Sequence, residues 1–249
     1  MSFISKFRPV SYLGNASAPP VRPAYGRDLR VPPVPLHAPA ARPARAGEEN
    51  SGRFSNGLKE FLWQIDDIGK GNLLDLGAVS QSTVTYFIER NFKVYTEDLL
   101  AAWGAFLEQD RKRAMSLPDG VEPDTSPTAR AERFLTSNLR YPADSFDAVL
   151  LWDLLDYMDR EAARIFLPRI TSMMREGGAI LAIFHTRPPE QFHRYRVRDG
   201  LNLELVPAPN LVQPRHVYQN REIQELFEKF RTSKTFVGRD QLREGVFVK

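Results

Sequence analysis

A chain of 249 residues, 42% hydrophobic and 26% charged, is long enough for one large α/β domain with appendages and is ordinary for a soluble protein. No apolar run approaches the roughly 18 residues of a membrane helix. The absence of cysteine excludes a disulfide framework, a thiol nucleophile and a thiolate metal site, and it fits a reducing compartment, so the expected location is cytoplasmic.

The net charge of +3 is unevenly placed. Of 34 basic and 31 acidic residues, seven and three lie in residues 1–50, which leaves 27 and 28 in a body of charge −1. The basic excess belongs to the tail, and a nucleic-acid-binding body is not supported. Nine of the nineteen prolines precede Ala46. Proline removes backbone donors and enforces extended geometry, so residues 1–50 are expected to be a disordered Pro/Arg-rich tail and residues 51–249 the folded domain. The tail reads as a solvated leader, with a protein-docking arm or a transit peptide as alternatives; no secretory apolar core follows the start.

The body opens with GLKEFLWQIDDI, where Leu58, Phe61, Leu62, Ile65 and Ile68 at helical spacing predict an amphipathic helix ended by Gly69 and Gly71. NLLDL is a short strand, STVTYFIERN a helix after a turn at Gly77, and FKVYTE a second strand ending in Glu97 and Asp98. This is the outline of a βαβ unit for an adenosine-containing cofactor, with the acid placed on the ribose hydroxyls. LLAAWGAFLEQDRKRAM predicts another helix, its basic end favourable to the helix dipole, and SLPDGVEPDTSP a loop. AVLLW is a continuous apolar run of the kind buried on both faces of a parallel sheet. DREAARIFLPRITSMMREGG is a helix with Ala163, Phe166, Ile170 and Met173 on one face, Pro168 predicting a kink or altered start, and Gly177 just past its end. AILAIF is a further strand. QFHRYRVRDGLNLELVPAP predicts a hairpin around Asp199-Gly200, REIQELFEKF a helix, and SKTFVGRDQLREGVFVK two closing strands. Alternating strands and helices indicate a parallel α/β sheet.

LLDLG, YPADSFDAVLLWDLLDYM and LPRITSMMREGGAILAIF together resemble the class I S-adenosylmethionine (SAM)-dependent methyltransferases over roughly residues 52–249. Pro142, Ser145, Phe146 and Asp147 match the phrase that introduces the fourth strand in that family, and Arg175, Gly177 and Gly178 the phrase before the fifth. The resemblance implies a Rossmann-like three-layer sandwich with a mostly parallel seven-stranded sheet and an antiparallel C-terminal strand, SAM as cofactor, and transfer of a methyl group to a small-molecule acceptor. Asp75 and Gly77 match the first acid and glycine of the cofactor turn, but Val79 and Gln81 stand where the other two glycines would be. A β-branched Val79 would crowd the cofactor's approach, while Ser80, Ser82 and Thr83 offer a helix cap or hydrogen bonds. The implied cofactor residues are Asp75, Gly77, Ala78, Ser80, Glu97, Asp98, Ser137, Asn138 and Trp152, with Ser137 or Asn138 at the adenine edge.

Ligands bind at the carboxyl ends of the strands in open α/β sheets. That selects Trp152 and Asp153 after the fourth strand and His185 after the fifth, with Asp153 positioning an amine and His185 serving as a base. The bland readings are a helix-capping Asp153, a loop histidine at 185 and a core Trp152. Arg194, Arg196 and Arg198, at period two, share one strand face that contacts either solvent or an anionic substrate. No histidine spacing suits a metal, and neither a nucleophile elbow nor a phosphate loop is present. Two other readings compete: a methyltransferase-like binding or assembly protein without catalysis, and a nicotinamide-dependent oxidoreductase, against which stand the single glycine and the closing strands. Substrate specificity is expected in residues 1–50, 116–130 and 186–215.

Overall fold

Strand β2 (Gly71–Asp75) is the nucleus around which the chain is wound. A computed structural model describes residues 52–118, 122–208 and 213–249; the tail, and with it the domain boundary expected at residue 51, lies outside the described residues. β2 pairs in parallel with β3 (Phe92–Thr96) on one side and with β4 (Phe146–Trp152) on the other. β4 pairs in parallel with β5 (Met174–His185), and β5 then meets β9 (Leu242–Val248) antiparallel, with β8 (Thr232–Val237) outside it. The strand order is β3-β2-β4-β5-β9-β8.

Among the described residues the sheet therefore has six strands, not the seven expected, and its C-terminal strand β9 is antiparallel to the rest, as expected. The missing member is at the β3 edge. The chain between β3 and β4 is spent on helices α3 (Leu99–Met115) and α4 (Pro127–Ser137) instead. α4 was not read from the sequence, although Ser126 caps it with its hydroxyl accepting from Ala129 N at 3.3 Å and Pro127 opens it.

Side-chain alternation in β4 explains the layers. Val149 and Leu151 face a core shared with α3, α4, α5 (Arg160–Met173) and α6 (Asn220–Leu226). Ala148, Leu150 and Trp152 face a second core shared with α1 (Asn56–Gln64) and α2 (Gln81–Ile88). All seven residues of β4 are buried, as a continuous apolar run in a central parallel strand requires. Ala163, Phe166, Ile170 and Met173 of α5 are likewise fully buried. α5 runs through Pro168 but ends at Met173, four residues before Gly177, because Met174 already pairs with Phe146 in the sheet. Gly177, with φ +78°, serves instead the irregular start of β5, a conformation that glycine adopts without strain. α1 also ends before the expected glycines, at Gln64, and Gly71 belongs to β2.

The predicted hairpin is β6 (His193–Val197) and β7 (Asn202–Pro207), antiparallel around Asp199-Gly200. It forms a separate three-stranded sheet with β1 (Gly52–Phe54), in the order β1-β7-β6. Tyr195, Val197 and Leu203 pack it into the α1/α2 core. Thr83 Oγ1 on α2 accepts from Val197 N at 2.9 Å, and Arg53 of β1 reaches the buried Glu244 of β9. The small sheet is thereby held over the carboxyl ends of the parallel strands.

Candidate active site

A cavity of about 730 Å³ opens at those strand ends, between α3 and the β6–β7 hairpin. Seven of the residues named from sequence line it: Gly77 and Ala78 after β2, Asp98 after β3, Trp152 and Asp153 after β4, and Arg194 and Arg196 on β6. Parallel strands deliver their following loops to one edge, which is why side chains 75 positions apart in sequence meet here.

The β2 turn is closed by an unexpected residue. Val79 is 69% exposed and stays clear of the turn. The Trp152 indole lies against Gly77 instead, so that a Cβ built on that glycine would stand 2.6 Å from the indole Cδ1 and Nε1. Trp152 Nε1 donates to Asp75 Oδ1 at 2.7 Å, Gly77 N donates to the same oxygen at 3.0 Å, and the ring stacks on Tyr195 at 5.8 Å and 8°. Trp152 adopts φ +53°, a backbone conformation that a bulky residue rarely occupies. Asp75 is 1% exposed, and burial raises its pKa to about 6 against the opposing effect of its two hydrogen bonds. Asp75 therefore supports the turn from behind rather than lining the cavity.

Asp98 caps α3, accepting from Ala101 N at 3.1 Å, and sits 3.8 Å from Arg194 while facing the cavity. Glu97 turns away, because strand alternation sends it to the opposite face, where Tyr141 Oη donates to it at 2.5 Å. Ser80 occupies the cap position of α2 without a side-chain cap bond; its Oγ meets Ser82 Oγ at 3.0 Å, outside the cavity lining. Ser137 and Asn138 border a different cleft, with Asp110 and Arg133, and Asn138 Nδ2 donates to Phe134 O at 2.9 Å. α3 stands between that cleft and the cavity, so these two do not join the other residues.

Behind Asp153 lies a buried polar array. His185, 6% exposed, donates its backbone N–H to Asp156 Oδ2 at 2.7 Å, and its Nδ1 lies 2.9 Å from the same oxygen. Its Nε2 stands 3.8 Å from Asp153 Oδ2. Burial works against the His185 cation, but the Asp156 hydrogen bond and the two carboxylate charges outweigh it and raise its pKa. Burial lifts Asp153 to about 7, with His185 opposing. Asp153 Oδ2 is buried without a hydrogen-bond partner among the described residues, at the wall of the cavity. Asp153 precedes a 3-10 turn (Leu154–Tyr157) but makes no side-chain cap bond there, so capping does not account for it. His185 is no loop histidine but the last residue of β5, and it stands behind Asp153 and Tyr157 rather than lining the cavity.

Asp156, Tyr157, Tyr195 and Arg215 were not singled out from sequence. Asp156 and Tyr157 lie in the 3-10 turn after β4, and only the three-dimensional packing brings them to His185 and the cavity.

No family model matches the chain, and no curated protein does. Among solved structures it is similar to the 1,6-didemethyltoxoflavin-N1-methyltransferase of Burkholderia thailandensis, at 17% identity over 78% of this chain and 76% of that one, TM-score 0.41. That protein was solved with 1,6-didemethyltoxoflavin and S-adenosylhomocysteine bound. It is also similar to a SAM-dependent methyltransferase of Methanosarcina mazei (12% identity, 72% and 91% covered, TM-score 0.37) and to human N-acetylserotonin methyltransferase (14%, 78% and 51%, 0.39). At overlaps this low, only the chain's own residues bear on its function. The strand order with antiparallel β9 between β5 and β8 is that of a Rossmann-like α/β sandwich, one strand short at the β3 edge.

Proposed function

We propose that the chain is a SAM-dependent methyltransferase acting on a small-molecule acceptor that is yet to be identified. The observation that carries this reading is the convergence of Gly77, Ala78, Asp98, Trp152 and Asp153 on one cavity at the carboxyl ends of β2, β3 and β4. Its volume of about 730 Å³ lies in the range of small-molecule and cofactor sites, which run to roughly 300–1,000 Å³.

The residues present fit the cofactor at Asp98, a carboxylate on the wall with acceptor oxygens for ribose hydroxyls, and at Asp153, whose unpartnered buried oxygen suits an ammonium or a hydroxyl. Bound SAM supplies an activated methyl group on a sulfonium centre. What remains for the chain is alignment, exclusion of water and, for an acceptor that must lose a proton, a base. Asp153, with its pKa near neutrality, takes that proton, and His185 stabilises the carboxylate from 3.8 Å. Asp156 positions His185 by binding both its backbone N–H and Nδ1.

A second reading, a methyltransferase-like binding protein without catalysis, is favoured by one observation: the Trp152 indole covers Gly77 and occupies Asp75. Calorimetric titration of SAM and S-adenosylhomocysteine into the full chain separates the two. Micromolar binding that Asp98→Ala abolishes supports the enzyme; no heat at millimolar ligand rejects it in favour of the second reading.

A further inference from the structure

The hairpin wall of the cavity is strongly basic. Arg194 and Arg196 alternate along β6 and Arg215 joins them from the segment before α6; all three line the cavity. Asp98 and Asp153 are the only acids among the lining residues. Arg194 pairs loosely with Asp98 at 3.8 Å. Glu204 stands opposite Arg196 in the hairpin register, yet no ion pair forms between them, and neither Arg196 nor Arg215 has a side-chain hydrogen bond or ion pair among the described residues. Asp153 is turned to His185, whose Nε2 stands 3.8 Å from its Oδ2, and away from the arginines. Between the arginines and the β2 turn the wall is apolar, with Leu100, Leu107, Phe192, Val206 and Pro207.

We propose that this wall is the acceptor subsite and that it selects an organic anion, an apolar or aromatic body ending in a carboxylate that Arg196 and Arg215 grip. This rests on the methyltransferase reading above and names its acceptor class. Guanidinium groups present paired donors matching the two oxygens of a carboxylate, and such charge-assisted bonds are about twice as strong as neutral ones. Unpaired arginines at a cavity wall have no intramolecular partner to surrender when an anion arrives, whereas Arg194, tied to Asp98, would have to break a contact. The apolar stretch gives the remainder of the acceptor a dry surface beside Asp153.

The test uses the full chain and two isosteric probes, 2-naphthoate and the neutral 2-naphthamide, titrated calorimetrically with saturating S-adenosylhomocysteine. Naphthoate is expected to bind at least about 10-fold tighter than the amide. The double variant Arg196→Gln/Arg215→Gln should lower that preference below about 3-fold, with amide binding unchanged. Equal binding of the two probes, or no naphthoate binding, overturns the proposal. So does a loss of S-adenosylhomocysteine affinity in the double variant that 5′-methylthioadenosine, which lacks the amino-acid carboxylate, does not share; the arginines would then serve the cofactor. S-adenosylhomocysteine is titrated alone first. Its failure to bind rejects the methyltransferase reading by itself, while the naphthoate–naphthamide comparison on the ligand-free chain still decides the anion subsite.

Discussion

Trp152 and Asp75, on adjacent strands, are joined by an indole Nε1–H···Oδ1 bond of 2.7 Å drawn directly across Gly77. The glycine is needed because an indole approaches its backbone. Gly77→Ala places a methyl group against the indole and is expected to cost about 1–3 kcal/mol, the range for overpacking a dense core. In a Trp152→Ala background the same methyl group has room, and the added cost should fall to within about 0.5 kcal/mol. Urea unfolding of the four proteins gives the coupling; an equal cost in both backgrounds rejects the contact.

Asp75 also sets a pH dependence. Its folded pKa, about 6, lies above the ordinary carboxylate value of 3.8, so the folded state holds the proton more tightly than the unfolded state. Its contribution is therefore fully present below pH 3.8 and is lost as pH rises through 6, up to roughly 3 kcal/mol at 1.36 kcal/mol per pKa unit. Asp75→Asn keeps an acceptor for Trp152 and removes that loss. The variant should gain stability relative to wild type between pH 4.5 and 7.5, as read by denaturant midpoints. A constant difference across that interval would show that Asp75 titrates normally.

The Asp156–His185 contact makes a spectroscopic prediction. Removing the Asp156 charge leaves burial as the main influence on the imidazole, which disfavours the cation. Asp156→Asn should therefore lower the His185 pKa, followed through its ring proton resonances in an NMR titration. An unmoved His185 would mean that Asp156 does not control it.

Glu244, 2% exposed, accepts from Gly57 N at 2.6 Å and binds Arg53, tying β9 to β1 and α1. Breaking such a buried pair leaves one uncompensated charge, and Arg53→Met should cost about 3–5 kcal/mol. Arg53→Met/Glu244→Leu removes both charges and should recover more than half of it in thermal unfolding. A double variant no better than Arg53→Met would place the cost elsewhere.

The fold was legible wherever apolar pattern and strand length agreed. AVLLW, AILAIF and the two closing strands form as read, and α3 spans Leu99–Met115 as its pattern indicates. Helix ends were less legible. Gly69 and Gly177 resemble stop signals, but both helices end earlier: α5 passes directly into β5 at Met174, and α1 gives way to a turn over residues 65–67 before β2 begins at Gly71. At the site, the carboxyl-end rule selected Trp152 and Asp153, which line the cavity, and His185, which does not; Gly77 and Asp98 came from the βαβ outline and the family resemblance. It could not foresee that Trp152 would turn its indole onto Gly77, nor that Ser137 and Asn138 would lie beyond α3, because neither depends on local sequence. Arg196 illustrates the same limit: period two gave its strand face, and only the docking of the hairpin decided that the face borders a cavity.

Ending the sheet at β3 has a consequence for self-association. An outermost strand offers a row of backbone donors and acceptors to any other extended chain. Here that strand carries Lys93, whose ammonium rests 4.7 Å from the centre of the Tyr95 ring on the same face, and it is entered through Asn91 at φ +64°. A strand added from outside would have to strip the water from that lysine and match a kinked approach. Charge and a bent entry thus guard the position where a seventh strand would have been, and the sheet can be short on this side without being adhesive.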